Sequence, residues 1–438
     1  MDRNTYLSIL QEQIRTKRAR PMVVKEMEDH IEDQKCAFMA EGRTEAEAEE
    51  EAVREMGDPV EAGVALDRIH RPKMNWGVLA GILLISLAGF LLQAMIARTA
   101  RPLSDGTGIW LLSVIGDGMR KQAVTIVIGI FIMILICWLD YSVIGKYSVV
   151  LWILANVILV GSIVAGPIVN GRPAHLIQAS YLILPCYAGI LYHFRGQGKN
   201  GLLKSGACLC IPLAILAYNF ALVMIILIGF TAFVLLHVAI YKGWFGRERK
   251  KLYLYLWGAV FGLGLLCVFG RILLFDGRFL ADYQLMRIDA WIHPGKYQEY
   301  NYMAKVVAEA AQEVKTGASG VAGNMIDTIK NDYCWLFLCK YLGTWPGILL
   351  TLLVIVFWGF LLRTVRKQKN QLGYMVSLAC VLFLGIETIL YMAMNFSMVP
   401  FGGLYMPFLS NGNSYLLITY LYMGILLSVC RNKDVVRN

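Results

Sequence analysis

Met406-Pro407-Phe408-Leu409-Ser410-Asn411-Gly412-Asn413-Ser414-Tyr415 leads into the last of a series of apolar runs, residues 411–430. By composition it is a membrane-boundary turn. Pro407 cannot extend a helix, Gly412 is free to take positive φ, and the hydroxyls and amides around them can cap exposed backbone groups. The run behind it is long enough to cross a hydrocarbon core, which takes about 20 helical residues. The fold is therefore a question of how many such runs the chain contains and which way they face.

Of 438 residues, 57% are hydrophobic and 16% charged, and the mean hydropathy is +0.56. Ten spans are predicted, near 77–97, 122–144, 147–167, 176–194, 206–219, 220–241, 252–274, 334–362, 372–396 and 411–430. The fifth and sixth run together at Tyr218-Asn219. Open sheets and irregular backbone cannot face lipid, so the fold expected is an all-α polytopic bundle. Arg195, Lys199 and Lys204 share one loop; Lys242, Arg247, Arg249, Lys250 and Lys251 another; Arg363, Arg366, Lys367 and Lys369 a third. With Arg431, Lys433 and Arg437 in the tail, ten spans put all four clusters on one side, which the positive-inside rule makes cytoplasmic. Both termini are then inside and the long segment 275–333 outside.

The net charge of +10 follows from this topology and is no nucleic-acid footprint. Residues 1–73 hold 12 Lys and Arg against 17 Asp and Glu, and the rest of the chain carries +15. Ten cysteines lie mostly in the spans, without metal-ligand spacing, and are expected to be small core residues. In place of a secretory signal, a helical domain is expected at 1–73, ahead of a membrane part at 74–438. Tyr6, Ile9, Leu10 and Ile14 share a helical face; Pro21 opens a second helix with Val24, Met27, Ile31 and Phe38 on its stripe, ended by Gly42. Thr44 and Glu47 form a capping box, and Asp58-Pro59 starts a fourth helix. This pattern looks like the permease-prefix (HAAS-type) domains of bacterial membrane proteins. The resemblance implies a cytoplasmic regulatory or partner-binding module; a folded tether is the alternative.

The 407–415 stretch resembles the C-terminal signature of the FtsW/RodA/SpoVE (SEDS) family, Pro-Phe-x-Ser-Tyr-Gly-Gly-Ser-Ser. Pro407, Phe408, Ser410, Gly412 and Ser414 match, Asn413 replaces a Gly, and Asn411 and Tyr415 depart. The family's large outer loop is matched by Arg287, Pro294, Gly320, Gly323 and Asp332-Tyr333. Its Glu, His and Thr before the Asp are here Ile329, Lys330 and Asn331. The Gln-Pro-Ser-Glu-x-x-Lys helix survives only as Gln178 and Ser180, with Tyr181 and Leu184 in place of the charged pair. The Gln four before Asn395 is Tyr391.

The resemblance implies that Asp332 is the catalytic residue. A carboxylate at the rim of a partly desolvated cavity suits a general base. The alternative is an interfacial Asp capping a span that starts at 332. By the same resemblance Arg287, Lys330 and Arg172 would meet a donor pyrophosphate, as Arg can bond two oxygens at once; snorkelling is the other reading of Arg172. Asn395 and the Pro407, Ser410, Gly412 and Ser414 turn would shape the substrate cavity. Glu387, mid-span, is read either as a structural polar contact or as a substrate or proton-coupling group.

The function so implied is a peptidoglycan glycosyltransferase (lipid II polymerase) of the bacterial plasma membrane, acting in division, elongation or sporulation. It would take a lipid-linked glycan precursor, a divalent cation (Mg or Mn) and a class B penicillin-binding transpeptidase as partner. A cytoplasmic partner for the prefix is also expected, and no metal cluster is evident. The other hypothesis is a non-enzyme, either a precursor transporter or a degenerate regulatory relative. A transporter should carry buried charge along a path through several spans, and only Glu387 is clearly mid-membrane.

Overall fold

The computed structural model describes residues 1–17, 19–99, 117–169, 172–274, 282–293, 307, 332–400, 402–433 and 435. Pro294, Lys330 and the glycine-rich segment 317–323 lie outside them.

Four helices come first: α1 (Arg3–Gln13), α2 (Arg20–Ala40), α3 (Glu45–Glu55) and α4 (Pro59–His70). Their ends follow from local chemistry. The Asp2 side chain accepts from the Thr5 amide and that of Asp58 from the Val60 amide, and Pro59 fills the first position of α4. Thr44 and Glu47 close a capping box on α3, and Gly42 breaks the chain after α2 at φ +95°. Tyr6, Leu10, Ile14, Val23, Ile31, Phe38 and Ala52 form an apolar cluster separate from that of the membrane helices. Polar latches close it, with the Arg15 amide donating to Asp67 at 2.9 Å and the Tyr6 hydroxyl to the Met56 carbonyl at 3.1 Å.

The helices that follow are α5 (Trp76–Thr99), α6 (Asp117–Trp138), α7 (Ser142–Lys146) and α8 (Ser148–Ala165). After the two-residue antiparallel pair β1 (Ile168–Val169) and β2 (Arg172–Pro173) come α9 (Leu176–Ser180), α10 (Ile183–His193), α11 (Gly198–Tyr218) and α12 (Leu222–Tyr241). The rest are α13 (Arg249–Leu274), α14 (Asp282–Ile292), α15 (Cys334–Leu342), α16 (Thr344–Arg366), α17 (Gln371–Asn395) and α18 (Asn413–Arg431). Among the described residues, 8 helices are long and apolar enough to cross a membrane: α5, α6, α8, α11, α12, α16, α17 and α18. The fold is an all-α polytopic bundle, with the two-residue pairing a local exception. α17 and α18 are the most enclosed of these eight, with 67% of an apolar 18-residue stretch of each buried. α18 runs along α6 at close range, because Gly129 leaves room for the Tyr420 ring and Gly424 for the Met133 backbone.

Several boundaries differ from the sequence expectation. The fourth predicted span is two short helices, α9 and α10, broken at Tyr181-Leu182. Pro185 is the cause, since it has no amide to return to the Tyr181 carbonyl. The eighth is split at Gly343, whose φ of +91° interrupts the helix between α15 and α16. α15 starts at Cys334 with Tyr333 as N-cap and no side-chain cap bond, so Asp332 does not cap it. The second span ends at Trp138, and Cys36 is exposed on α2, unlike the core cysteine expected there.

Candidate active site

The turn at 406–410 winds tightly: the Leu409 and Ser410 amides both donate to the Met406 carbonyl, at 3.1 and 3.0 Å. The Met406 amide returns a bond to Ser410 Oγ at 2.9 Å. Phe408 at its centre has φ +68°, a left-handed conformation that costs a bulky residue about 1–2 kcal/mol. Its ring meets Tyr420 and Phe357 edge-on, 5.4 and 6.1 Å between centroids, and these contacts fix it. Gly412 is the N-cap of α18 with extended backbone, and Ser414 is exposed in its first turn.

Against this turn packs the start of α15. Cys334 Sγ lies 3.0 Å from the Tyr391 hydroxyl and 3.8 Å from Ser410 Oγ. Asn395 is fully buried at the end of α17: its Oδ1 accepts from the Leu336 amide at 3.3 Å, and its Nδ2 donates to the Tyr391 carbonyl at 2.9 Å. Its amide thus pins α15 to α17, and it is not among the residues lining the cleft described next.

Asp332 sits two residues before Cys334 and, like Asn395, is not among the residues lining that cleft. Its side chain keeps an exposed flank, yet the protein around it desolvates the carboxyl and raises its pKa above the ordinary value. Tyr405, in the loop before the turn, is raised chiefly by burial and then by the Asp332 charge. Tyr333 is raised by burial and by Asp332, with Arg287 opposing. Arg287 on α14 therefore stands within electrostatic reach of the Asp332 neighbourhood. α14 is itself tied down where Trp291 Nε1–H donates to the Ser397 carbonyl at 3.0 Å. Arg172 lies in β2, its backbone paired with Val169. Lys330 is outside the described residues.

Beside the turn is a narrow cleft of about 10 Å³, lined by Tyr181, Glu387, Tyr405, Pro407, Ser410, Tyr415 and neighbours from 406 to 419; that is room for a single water. Two of these rings, Tyr405 and Tyr415, stack with centroids 3.7 Å apart and planes 19° apart. The Tyr181 hydroxyl donates to the Glu387 carboxyl, and the Tyr422 hydroxyl donates to the Tyr181 carbonyl that Pro185 leaves free. Glu387 is thus a hydrogen-bonded buried carboxyl facing a cleft. Among the described residues no three His, Cys, Asp or Glu side chains converge as metal ligands, so they supply no cage for a divalent cation.

Sequence reasoning missed Cys334, the Tyr405–Tyr415 stack and the Tyr181–Glu387 pair. Pro185 four residues after Tyr181 was the one available signal, since it marks a carbonyl in need of a donor.

A sequence profile of the FtsW/RodA/SpoVE cell cycle proteins matches residues 115–435. A probable peptidoglycan glycosyltransferase FtsW of Methylococcus capsulatus is 25% identical over 183 residues, covering 40% of this chain and 45% of its own. A second, of Coxiella burnetii, is 25% identical over 163 residues, covering 34% and 43%. The chain spans less than half the length of these two curated relatives. Among solved structures, a peptidoglycan synthase complex described as coordinating polymerization and crosslinking contains a similar chain. It has TM-score 0.63 at 16% identity, covering 82% of this chain and 98% of that one. The rod shape determining protein RodA of Thermus thermophilus gives 0.51 at 14%, covering 82% and 97%. At these identities the structures bear on fold alone. The sequence profile covers well over half of the residues, and the chain belongs to the FtsW/RodA/SpoVE family.

Proposed function

We propose that this protein is a peptidoglycan glycosyltransferase that polymerises a lipid-linked glycan precursor at the outer face of a bacterial plasma membrane. The observation that supports this most is the seat of Asp332: a carboxyl raised by desolvation, two residues from a cysteine docked on the 406–410 turn. Asp332 takes the proton of the acceptor hydroxyl as that oxygen attacks the anomeric carbon. The bond from that carbon to the pyrophosphate oxygen breaks, and the lipid pyrophosphate leaves. A raised pKa makes the carboxylate a stronger base near neutral pH. Arg287, with Lys330 and Arg172, would balance the pyrophosphate charge. Any divalent cation belongs with the pyrophosphate oxygens, because Mg²⁺ commonly pairs substrate phosphates with one or two carboxylates.

Ten crossings with both termini cytoplasmic follow from the Lys and Arg bias. A class B penicillin-binding transpeptidase is the partner we assign, since the structurally similar synthase complex couples polymerization to crosslinking. The prefix helices α1–α4 are assigned to a cytoplasmic partner. The transporter reading finds one support, Glu387 lining a cleft inside the bundle.

The test is purified protein with lipid II, glycan products sized on a gel. Asp332→Asn should lower polymer yield by about 10²–10⁴-fold while extraction and thermal stability hold. Wild-type yield from Asp332→Asn would place the base elsewhere. No polymer from the wild type, with Mg²⁺, Mn²⁺ and partner supplied, would favour the transporter or the degenerate relative.

A further inference from the structure

The 406–410 turn is held in place by a helix outside the segment that carries the family match. That match covers 115–435, whereas α5 spans Trp76–Thr99. Two residues of α5, one turn apart, meet the turn. At Gly89 a Cβ would stand 2.1 Å from the Phe408 carbonyl oxygen and 2.9 Å from its carbon, both backbone atoms that cannot yield. Gln93, 4% exposed, donates from Nε2 to the Leu409 carbonyl at 2.6 Å. α5 is anchored to α18 through the Tyr420 hydroxyl, which donates to Ser86 Oγ at 2.9 Å. On the far side of the turn, Cys334 Sγ approaches the same Leu409 carbonyl at 4.0 Å. One carbonyl thus sits between the first span and the residue two places after Asp332.

Phe408 at φ +68° lies where a bulky residue stays only if its surroundings hold it. Gln93 supplies a directional hold from a buried site, and Gly89 supplies the space. We propose that Gln93 is a positioning residue: through the Leu409 carbonyl it keeps the turn in its left-handed conformation and so sets the turn's distance from Asp332. The consequence for catalysis rests on the glycosyltransferase reading. There, a misplacement of about 1 Å can cost roughly 10²-fold in rate.

The test uses the full chain in lipid nanodiscs, with a nitroxide on Asn411→Cys in a Cys36→Ser background; the labelled background alone is subtracted. Asn411 is exposed at the end of the turn. Gln93→Met keeps the length and removes the donor, and Gln93→His restores an N–H at the ε position. In Gln93→Met the label should become more mobile and kcat on lipid II should fall about 10–100-fold with KM within about 3-fold; Gln93→His should recover both. If Gln93→Met does not fold, Gln93→Asn, which withdraws the amide by one methylene, takes its place with the same readouts. Unchanged label mobility overturns the proposal, whatever kcat does. A loss in Gln93→Met that Gln93→His does not recover also overturns it, as it would show a packing role alone. An inactive wild type overturns the glycosyltransferase reading, and label mobility then decides the positioning by itself.

Discussion

Pro185 removes one amide, and two other spans compensate. The Tyr181 carbonyl is satisfied by Tyr422 on α18, and the Tyr181 hydroxyl goes to Glu387 on α17, so a broken helix is pinned from both sides. Leaving one of these buried groups without a partner costs about 1–3 kcal/mol. Glu387→Leu should therefore destabilise by about that amount, and Glu387→Gln, which still offers an oxygen to Tyr181, by much less. Tyr181→Phe combined with Glu387→Leu should lose less than the sum of the two single losses; strictly additive melting shifts in detergent would show that the contact contributes nothing. If Asp332 is the base of the proposed reaction, it sets the pH dependence. Desolvation raises its pKa, so the proton-accepting form is lost at a higher pH than for a free aspartate. Polymer formation should rise with pH through that shifted value and then level, and Asp332→Asn should flatten the limb. A rate that falls with rising pH over that interval would assign the base to another group. Glu387 could be singled out from the sequence because a carboxylate within an apolar run is costly, and Asp332 because it stands where the resemblance to the family puts its catalytic Asp. Glu387's partner could not, since Tyr181 lies 206 positions away and its identity depends on how three helices pack.

Among the elements, the prefix helices carry their own termini. The Thr44–Glu47 box and the Lys35–Glu45 ion pair at 2.8 Å hold the Glu45 and Glu47 carboxyls below their usual range and the Lys35 ammonium above its own. The depressed glutamates contribute stability above the ordinary glutamate value, about 4.3, and it is lost as pH falls through their folded values. The raised lysine contributes below its ordinary value, about 10.4, and that is lost as pH rises through the folded one. A 1–73 fragment should thus melt cooperatively with a plateau between those limits and fall away on both sides. A random-coil circular-dichroism spectrum at neutral pH would show that the segment does not fold alone. In the membrane part the sensitive elements are α6 and α18. A Cβ on Gly129 would stand 2.1 Å from the Tyr420 ring, whereas one on Gly161 of α8 meets nothing within 4 Å. Gly129→Ala should cost about 1–3 kcal/mol by overpacking, and Gly161→Ala should be neutral or slightly stabilising. Equal melting temperatures for the two would mean that α6 and α18 do not pack this closely. Capping chemistry and apolar period made the helices legible in the sequence. The close approach of α6 to α18 was not, because a glycine in an apolar run reads the same facing lipid or facing a tyrosine.

For the whole molecule, hydropathy located each of the eight helices long and apolar enough to cross a membrane among the described residues, since about 20 apolar residues per crossing is a constraint the bilayer imposes on any sequence. It did not show that two of the predicted spans are interrupted, because Pro185 and Gly343 break a helix without lowering its hydropathy. The breaks fall beside the cleft and the 406–410 turn. Tyr181 at the first lines the cleft, and α15 ahead of the second carries Cys334 against the turn, so the irregular backbone is spent where residues must be aimed. That arrangement requires the 332 and 406–412 segments to share one face of the membrane, with the Lys and Arg clusters at 242–251, 363–369 and 431–437 on the other. The prediction is therefore specific in sign. Ser319→Cys, at a position in the sequence between α14 and α15, should react with a membrane-impermeant maleimide in intact cells, over the background of the unsubstituted protein. Lys367→Cys, at the end of α16, should react only after the cells are opened. Labelling of Lys367→Cys in intact cells, with Ser319→Cys protected, would invert the topology and put Asp332 on the side away from the proposed polymer. Labelling of both positions in intact cells would mean that α16 and its partners do not cross an odd number of times between them, and the ten-crossing arrangement would fall with it.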